Sequence, residues 1–362
     1  MRKVNNEAAS EASRQANNTA IPPQTEAAQQ SQPGGYVAGV DLGGTSLRMA
    51  LTDLSGNIVA KWSSSTVGVR DPEIVIQRIY AGVTQMLLQI ASSADTLKSI
   101  AIGVPGVTNT DDGTVIATSY LMGWQNVPLR TLVEKELQVP AAIDNDVNLA
   151  AIGESWTGAA KNVQDFVFLA IGTGLGAGIV LNGHLHRGHH WSAGEIGYML
   201  VPGAPGGPKQ DGEPGALESA IGGEGIKLQW EKLRAPALPE NLNATEIFDL
   251  ALQGNSLAET ILQKSATLLA QTIYNISLVL DCPLFVLGGS VGLHPALCDA
   301  TQKSLSQWER HARFHVVRSA LGADAQLMGA IRVALDTANA KLKGSGDWLN
   351  PQKSLSMTIS TS

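Results

Sequence analysis

Four short stretches of this chain carry the residue types that phosphate and hydroxyl chemistry needs. The first is Asp41-Leu42-Gly43-Gly44-Thr45, a carboxylate, two glycines and a hydroxyl between two apolar runs. Adjacent glycines let the backbone turn where a side chain would clash, and they leave amides bare. Bare amides beside a carboxylate and a hydroxyl suit a phosphate that carries Mg²⁺. The second is Gly172-Thr173-Gly174-Leu175-Gly176, again between apolar runs. The third is Asn145-Asp146, where Ala141-Ala142-Ile143 leads into a helical pattern. An ionised Asp near a helix amino terminus is electrostatically favoured, which keeps it available as a proton acceptor. The fourth is a pair of acids among small residues, Glu195 and Glu218, whose carboxylates can accept hydrogen bonds from sugar hydroxyls.

Each stretch alone also has a plainer reading. Asp-Leu-Gly-Gly makes ordinary hairpin corners, Asp144 or Asp146 can simply cap a helix, and Glu195 and Glu218 can be solvated surface acids. Residues 172–177 match the loose dinucleotide fingerprint, but that fingerprint needs a helix behind it. Here Ala177-Gly178-Ile179-Val180-Leu181 continues as a strand, and the chain holds no P-loop. His184, His186, His189 and His190 cluster in a turn that is expected to be a basic, solvated loop rather than a metal site.

Elements must bring these stretches together. Apolar patterning predicts strands at 36–41, 46–53, 57–62, 98–103, 115–118, 141–144, 165–171, 177–182, 284–288 and 313–317. It predicts helices at 72–93, 129–137, 147–157, 244–253, 257–281, 294–310 and 324–341, an α/β alternation. The strand–glycine turn–strand unit at 36–51 recurs at 166–181, roughly 130 residues on. Two such units facing each other make a cleft with a glycine hairpin on each wall, able to hold a phosphate chain between them.

Composition narrows the classes. With 44% hydrophobic and 16% charged residues the chain is globular, and 362 residues suffice for two lobes. Its 25 basic and 32 acidic side chains give −7, with no basic block, which argues against binding nucleic acid or anionic membrane. The cysteines, Cys282 and Cys298 alone, suggest packing residues in a reducing, cytoplasmic setting. No apolar run reaches spanning length. Residues 1–34 are polar, without an export signal, and are expected to be a disordered tail. The expected organisation is a small lobe at 35–145 completed by the helix near 324–341, a large lobe at 146–323 and a loose tail at 342–362.

In this order, with Leu287-Gly288-Gly289, Pro105-Gly106 and Gly123-Trp124, the motifs resemble the ROK family of repressors, uncharacterised reading frames and sugar kinases. The resemblance spans about residues 36–341 and implies an α/β, two-lobed actin-like ATPase fold with a central nucleotide and sugar cleft. It implies ATP-dependent phosphorylation of a hexose, glucose first, with Asp146 as catalytic base. Asp41, Gly43, Gly44 and Thr45 match its first phosphate motif, with Asp41 placing Mg²⁺. Gly172, Thr173, Gly174 and Gly176 match its second, and Gly288 and Gly289 match its adenosine motif. Asn145, Asp146, Glu195 and Glu218 match its sugar contacts, and a homodimer is its usual assembly. The alternatives within the family are a kinase for another sugar, such as N-acetylmannosamine, N-acetylglucosamine, allose or fructose, and a non-catalytic sugar sensor.

Two departures concern the sugar side. Tyr198 stands where many members carry a His that touches the sugar and binds zinc, and residues 202–216 lack the family's three-cysteine cluster, so no zinc site is expected. Tyr120 stands where relatives place Asn ahead of the Gly-Trp pair. Both substitutions bear on which sugar fits.

Overall fold

The apolar runs around the first glycine pair form a hairpin, β1 (Tyr36–Leu42) and β2 (Ser46–Asp53). In the computed structural model, which describes residues 34–69, 71–118, 120–207, 213–308 and 313–342, β1 is buried along its whole length. A strand covered on both faces needs such a continuous apolar run. β3 (Ile58–Ser65) pairs with β2 and is mostly exposed, as an edge strand. α1 (Pro72–Gln89) begins where the Asp71 carboxylate accepts from the Glu73 amide and Pro72 occupies the first turn. It stops short of the expected residue 93 because Ala91 turns left-handed, with φ 51°. β4 (Leu97–Val104), a small sheet of β5 (Val107–Asn109), β6 (Thr114–Ala117) and β7 (Gln125–Val127), α2 (Leu129–Leu137), β8 (Ala141–Asn145) and α3 (Asp146–Thr157) follow. The main sheet has the order β3-β2-β1-β4-β8, with β4 and β8 parallel to β1.

The second half repeats this plan. β9 (Phe166–Ile171) and β10 (Leu175–Leu181) form the hairpin and β11 (His184–Leu185) its edge. After α4 (Glu218–Ile221), α5 (Gly223–Leu233), α6 (Ala244–Leu252) and α7 (Ser256–Leu280) come β12 (Leu284–Gly288), α8 (Gly289–Gly292), α9 (Pro295–Leu305), β13 (His315–Arg318) and α10 (Ala325–Leu342). The order β11-β10-β9-β12-β13 is the first sheet's order over again, with β12 and β13 parallel to β9. The helix expected at 294–310 ends at Leu305, and α5 was not expected at all. α5 opens on two glycines around Glu224 and buries only Gly225, Ile226 and Trp230, so its apolar stripe is thin. The tails expected at the two ends lie outside the described residues, except that α10 runs through Leu342.

Alternation along β1 divides the first core. Ala38 and Val40 pack with Ile79 and Met86 of α1 and Leu129 of α2, whereas Val37 packs with Leu327 and Ile331 of α10. On the second sheet Val167, Leu169 and Ile171 meet α5, α6, α7 and α9, while Phe166 and Phe168 face Ala150 and Ala151 of α3. α3 and α10 cross in backbone contact. A side chain at Gly153 would strike the Ala325 carbonyl, and one at Gly329 the Leu149 carbonyl. Beyond Gly153 the fully buried Glu154 carboxylate accepts from the amides of Ala159 (2.6 Å) and Leu321 (3.0 Å) and from the Ser319 hydroxyl. That carboxylate ties the end of α3 to the loop that leads into α10.

Candidate active site

Asp41 is the last residue but one of buried β1, beside its turn, and Gly43 closes that turn by donating to the Ser46 carbonyl (2.8 Å). Thr66 braces it from β3's end, its hydroxyl donating to the Gly43 carbonyl (2.8 Å) and its amide to that of Thr45 (3.0 Å). Arg48 donates from Nε and Nη2 to Asp41 Oδ2 (2.9 and 2.6 Å), and from Nη2 to the Ala323 carbonyl (2.7 Å). Burial pushes the Asp41 carboxyl above its ordinary range, against the pull of Arg48.

Asp146 opens α3, but it is Asn145 that caps the helix. The Asn145 Oδ1 accepts from the amides of Val147 (2.9 Å) and Asn148 (3.1 Å), and its Nδ2 donates to the Gly106 carbonyl (2.9 Å). Asn145, expected as a sugar contact, thus has its Oδ1 engaged as the cap while one of its two Nδ2 hydrogens goes to Gly106. Asp146 accepts the Val147 amide on Oδ1 (2.9 Å) and is half-buried at the head of the helix. Burial pushes its carboxyl up to about 7, with the Asp41 charge adding to the shift and Glu195 contributing less. A base poised there is half ionised near neutral pH.

The strand that delivers Asp146 is held by an ion pair with no evident sequence signal. Arg187 donates from Nε and Nη2 to Asp144 Oδ2 (3.1 and 2.6 Å), and Asp144 is 4% exposed. Arg187 lies among the four histidines, in the loop expected to be merely basic and solvated. It turns inward instead, while His189 and His190 stack edge to face on each other (4.6 Å). Among the described residues no three His, Cys, Asp or Glu side chains converge as a metal-binding group. Cys282 and Cys298 are both buried, and burial pushes the Cys282 thiol up to about 11.

The second turn closes from the Gly172 amide to the Gly174 carbonyl (3.0 Å). The first amides of α5 reach it, Gly223 donating to the Gly172 carbonyl (2.8 Å) and Glu224 to that of Thr173 (3.3 Å). Glu218 accepts the Leu175 amide on Oε2 (2.8 Å). Gly174 has no room for a side chain, since a Cβ there would collide with the Tyr120 hydroxyl and lie 2.6 Å from Glu218 Oε2. Burial raises both Glu195 and Glu218, and the charge on Glu218 raises Glu195 further. Glu195 stands in a loop pinned to β10 by the Ala177 amide and the Gly194 carbonyl (2.8 Å). Glu218, Asp146, Glu195 and Tyr198 all bear electrostatically on the Tyr120 hydroxyl, which burial already pushes up. The structure therefore gathers the expected acids around one phenol.

Beyond the second turn lies a cavity of about 310 Å³ lined by Gly172, Thr173, Gly223, Lys227, Asn243 and Ser290, among others. Gly288 ends β12 and Gly289, with φ 79°, begins α8 just before Ser290. The cavity joins the second glycine turn to this segment. Lys227 went unnoticed in the sequence because α5 itself did, and Asn243 because it sits just ahead of α6 as its cap.

Residues 37–337 match the ROK family. A glucokinase of Halalkalibacterium halodurans is 30% identical over 325 residues, covering 85% of this chain and 98% of that protein. An N-acetylmannosamine kinase of Escherichia coli O6:H1 is 29% identical over 291 residues, covering 80% of this chain and 95% of the relative. Among solved structures, a ROK family glucokinase from Streptomyces griseus in complex with glucose and AMPPNP is similar, with a TM-score of 0.68 and 27% identity over 83% of this chain and 99% of that one.

Proposed function

The chain belongs to the ROK family and has its actin-like ATPase fold, and from that premise we propose that it transfers the γ-phosphate of ATP to a sugar hydroxyl, with glucose the leading acceptor. The observation that carries this reading is Asp146, whose carboxyl is held near 7 between the acidic first turn and Glu195. As carboxylate it takes the proton of the attacking hydroxyl, a contribution of roughly 10²–10⁴ in rate. Glu195 and Glu218 orient the sugar by accepting from its other hydroxyls. The two glycine turns hold the phosphates, and the cavity lined by Lys227 and Asn243 suits the nucleoside. The small lobe is assigned to 35–145 with α10, and the large lobe to 146–323.

The oxygen donors at the first turn fit a hard divalent cation. Both bonds from Arg48 fall on Asp41 Oδ2, so Oδ1 is the oxygen through which Asp41 would hold a metal-bound water, with the Thr45 hydroxyl nearby in the turn. Bound Mg²⁺ would neutralise charge on the phosphates during transfer. Positioning by the protein supplies most of the rest.

A coupled ADP-release assay over glucose, mannose, allose, fructose, N-acetylglucosamine and N-acetylmannosamine tests the reading, with Asp146→Asn alongside. Stimulation by at least one sugar that Asp146→Asn abolishes is the expected result. If no sugar stimulates ADP release, the chain is not a kinase for these acceptors; equal turnover by Asp146→Asn removes Asp146 as the base.

A further inference from the structure

Tyr120 lies in the loop between β6 and β7, and it spans the gap between the two glycine turns. At one end its backbone rests on the first turn, where a Cβ built on Gly44 would sit 3.0 Å from the Tyr120 carbonyl oxygen and 3.4 Å from its Cβ. At the other end its hydroxyl rests on Gly174 of the second turn, beside Glu218 Oε2. One phenol ring therefore bridges the space in which an acceptor and a phosphate must meet.

The residue is anchored through the segment that follows it, while its side chain is less confined. Leu121 and Trp124 immediately after it are 2% and 3% exposed, and the Tyr120 amide donates to the Thr118 hydroxyl (3.2 Å). Tyr120 itself is 40% exposed, on the open side of the cleft. Rotation about its side-chain bonds is then the cheap motion, as it is for half-exposed side chains generally. The chemistry of its surroundings is equally specific. Glu195, Glu218 and ionised Asp146 offer only hydrogen-bond acceptors, and the phenol, kept protonated by burial and by those acids, is a donor among them. An arriving sugar must supply donors to the same acids.

We propose, on the basis of the kinase reading above, that Tyr120 is a specificity-determining residue whose phenol holds the acceptor space between Gly44 and Gly174 and yields it to a sugar that engages Glu218. The class of acceptor that follows is a compact, unsubstituted hexose. A sugar with an N-acetyl substituent needs volume that the ring occupies.

The test uses the full chain as wild type, Tyr120→Phe and Tyr120→Ala. Each is titrated calorimetrically with glucose, mannose, fructose, N-acetylglucosamine and N-acetylmannosamine in the presence of a non-hydrolysable ATP analogue, with kcat and KM measured by ADP release. Removing the ring should narrow the spread of Kd between the tightest and weakest sugars about tenfold, through gains by the N-acetyl sugars. Tyr120→Phe keeps the ring and should keep the wild-type ranking, with a weaker preference for the best sugar. A spread that Tyr120→Ala leaves unchanged within about twofold overturns the proposal. Equal loss of affinity for every sugar also overturns it, since that is what a purely structural role produces. Because Kd is read without turnover, sugars that bind but are not phosphorylated end the kinase reading while Tyr120 is still decided by the spread. If wild type binds none of the panel, Tyr120→Ala must gain at least one sugar, and its failure to do so overturns the proposal.

Discussion

The two glycine hairpins share a backbone plan and are braced in opposite ways. The first is braced by charge: Arg48 holds Asp41 and reaches across to the Ala323 carbonyl ahead of α10. The second, among the described residues, has no such ion pair and is braced through backbone amides, with the first amides of α5 on its carbonyls and the Leu175 amide on Glu218. The repeated sheet order shows that one unit served twice, yet the supports differ. The first wall thus carries its carboxylate, Asp41, paired with a guanidinium through Oδ2. The second wall carries its carboxylate, Glu218, on a backbone amide, and fits closely around Gly174.

That contrast can be broken or sharpened by substitution. The largest effect is expected between the two walls, where Asp146→Asn should lower kcat by roughly 10²–10⁴ while the thermal transition stays cooperative, measured by ADP release and calorimetry. Next come the ion pairs. Arg187→Leu strands the deeper carboxylate, Asp144, and should cost about 3 kcal/mol by urea unfolding, whereas Arg48→Leu should cost less because Asp41 is nearer the cleft. Equal costs would mean that the first brace is as structural as the pair beneath the base. Gly174→Ala should raise KM for ATP about tenfold, by overpacking against Glu218 and Tyr120, and Gly43→Ala should do less because its Cβ meets only the Ser46 carbonyl at 3.2 Å. A second change, Tyr120→Ala, should relieve part of the Gly174→Ala loss, as coupled neighbours do.

The smallest effects are in pH. With the Asp146 carboxyl near 7, kcat/KM should rise through about that pH as the base ionises and fall on the acid side. The sign for stability is opposite. A carboxyl raised in the folded state favours folding fully below its ordinary value of 3.8 and loses that contribution as pH climbs through about 7. Asp146→Asn should therefore melt a few degrees above wild type at pH 8, by scanning fluorimetry, with the gap closing towards pH 5.

The hairpins were legible in the sequence because glycine pairs between apolar runs have few other uses, and β2 and β12 fall on their expected residues. Asp146 was legible from its place at a strand-to-helix junction. What stayed hidden was support that depends on tertiary approach. Arg187 among histidines carries no periodicity, and it became a partner of Asp144 only when β11 folded back beside β10. α5 escaped notice because Gly223 and Gly225 weaken its helical pattern, although they let its start press on the Gly172 carbonyl. Asn145 looked available to a ligand, and its engagement as a cap appears only when the amides of Val147 and Asn148 turn toward it.

The crossing of α3 over α10 has a mechanical consequence. Where Gly153 and Gly329 bring two helix backbones together, the Arg332 guanidinium of α10 also lies over the Trp156 ring of α3 (5.8 Å), a contact that opposes rolling of one helix on the other. Sliding is opposed too, because Glu154 grips the strand-to-helix loop at residues 319–321 from the end of the same helix. The contact behaves as a clamp, held by the Arg332–Trp156 stack on one side and by the Glu154 carboxylate on the other. Since Asp146 is the first residue of α3, its carboxylate is carried on a helix whose far end is anchored to α10 and to the loop ahead of it.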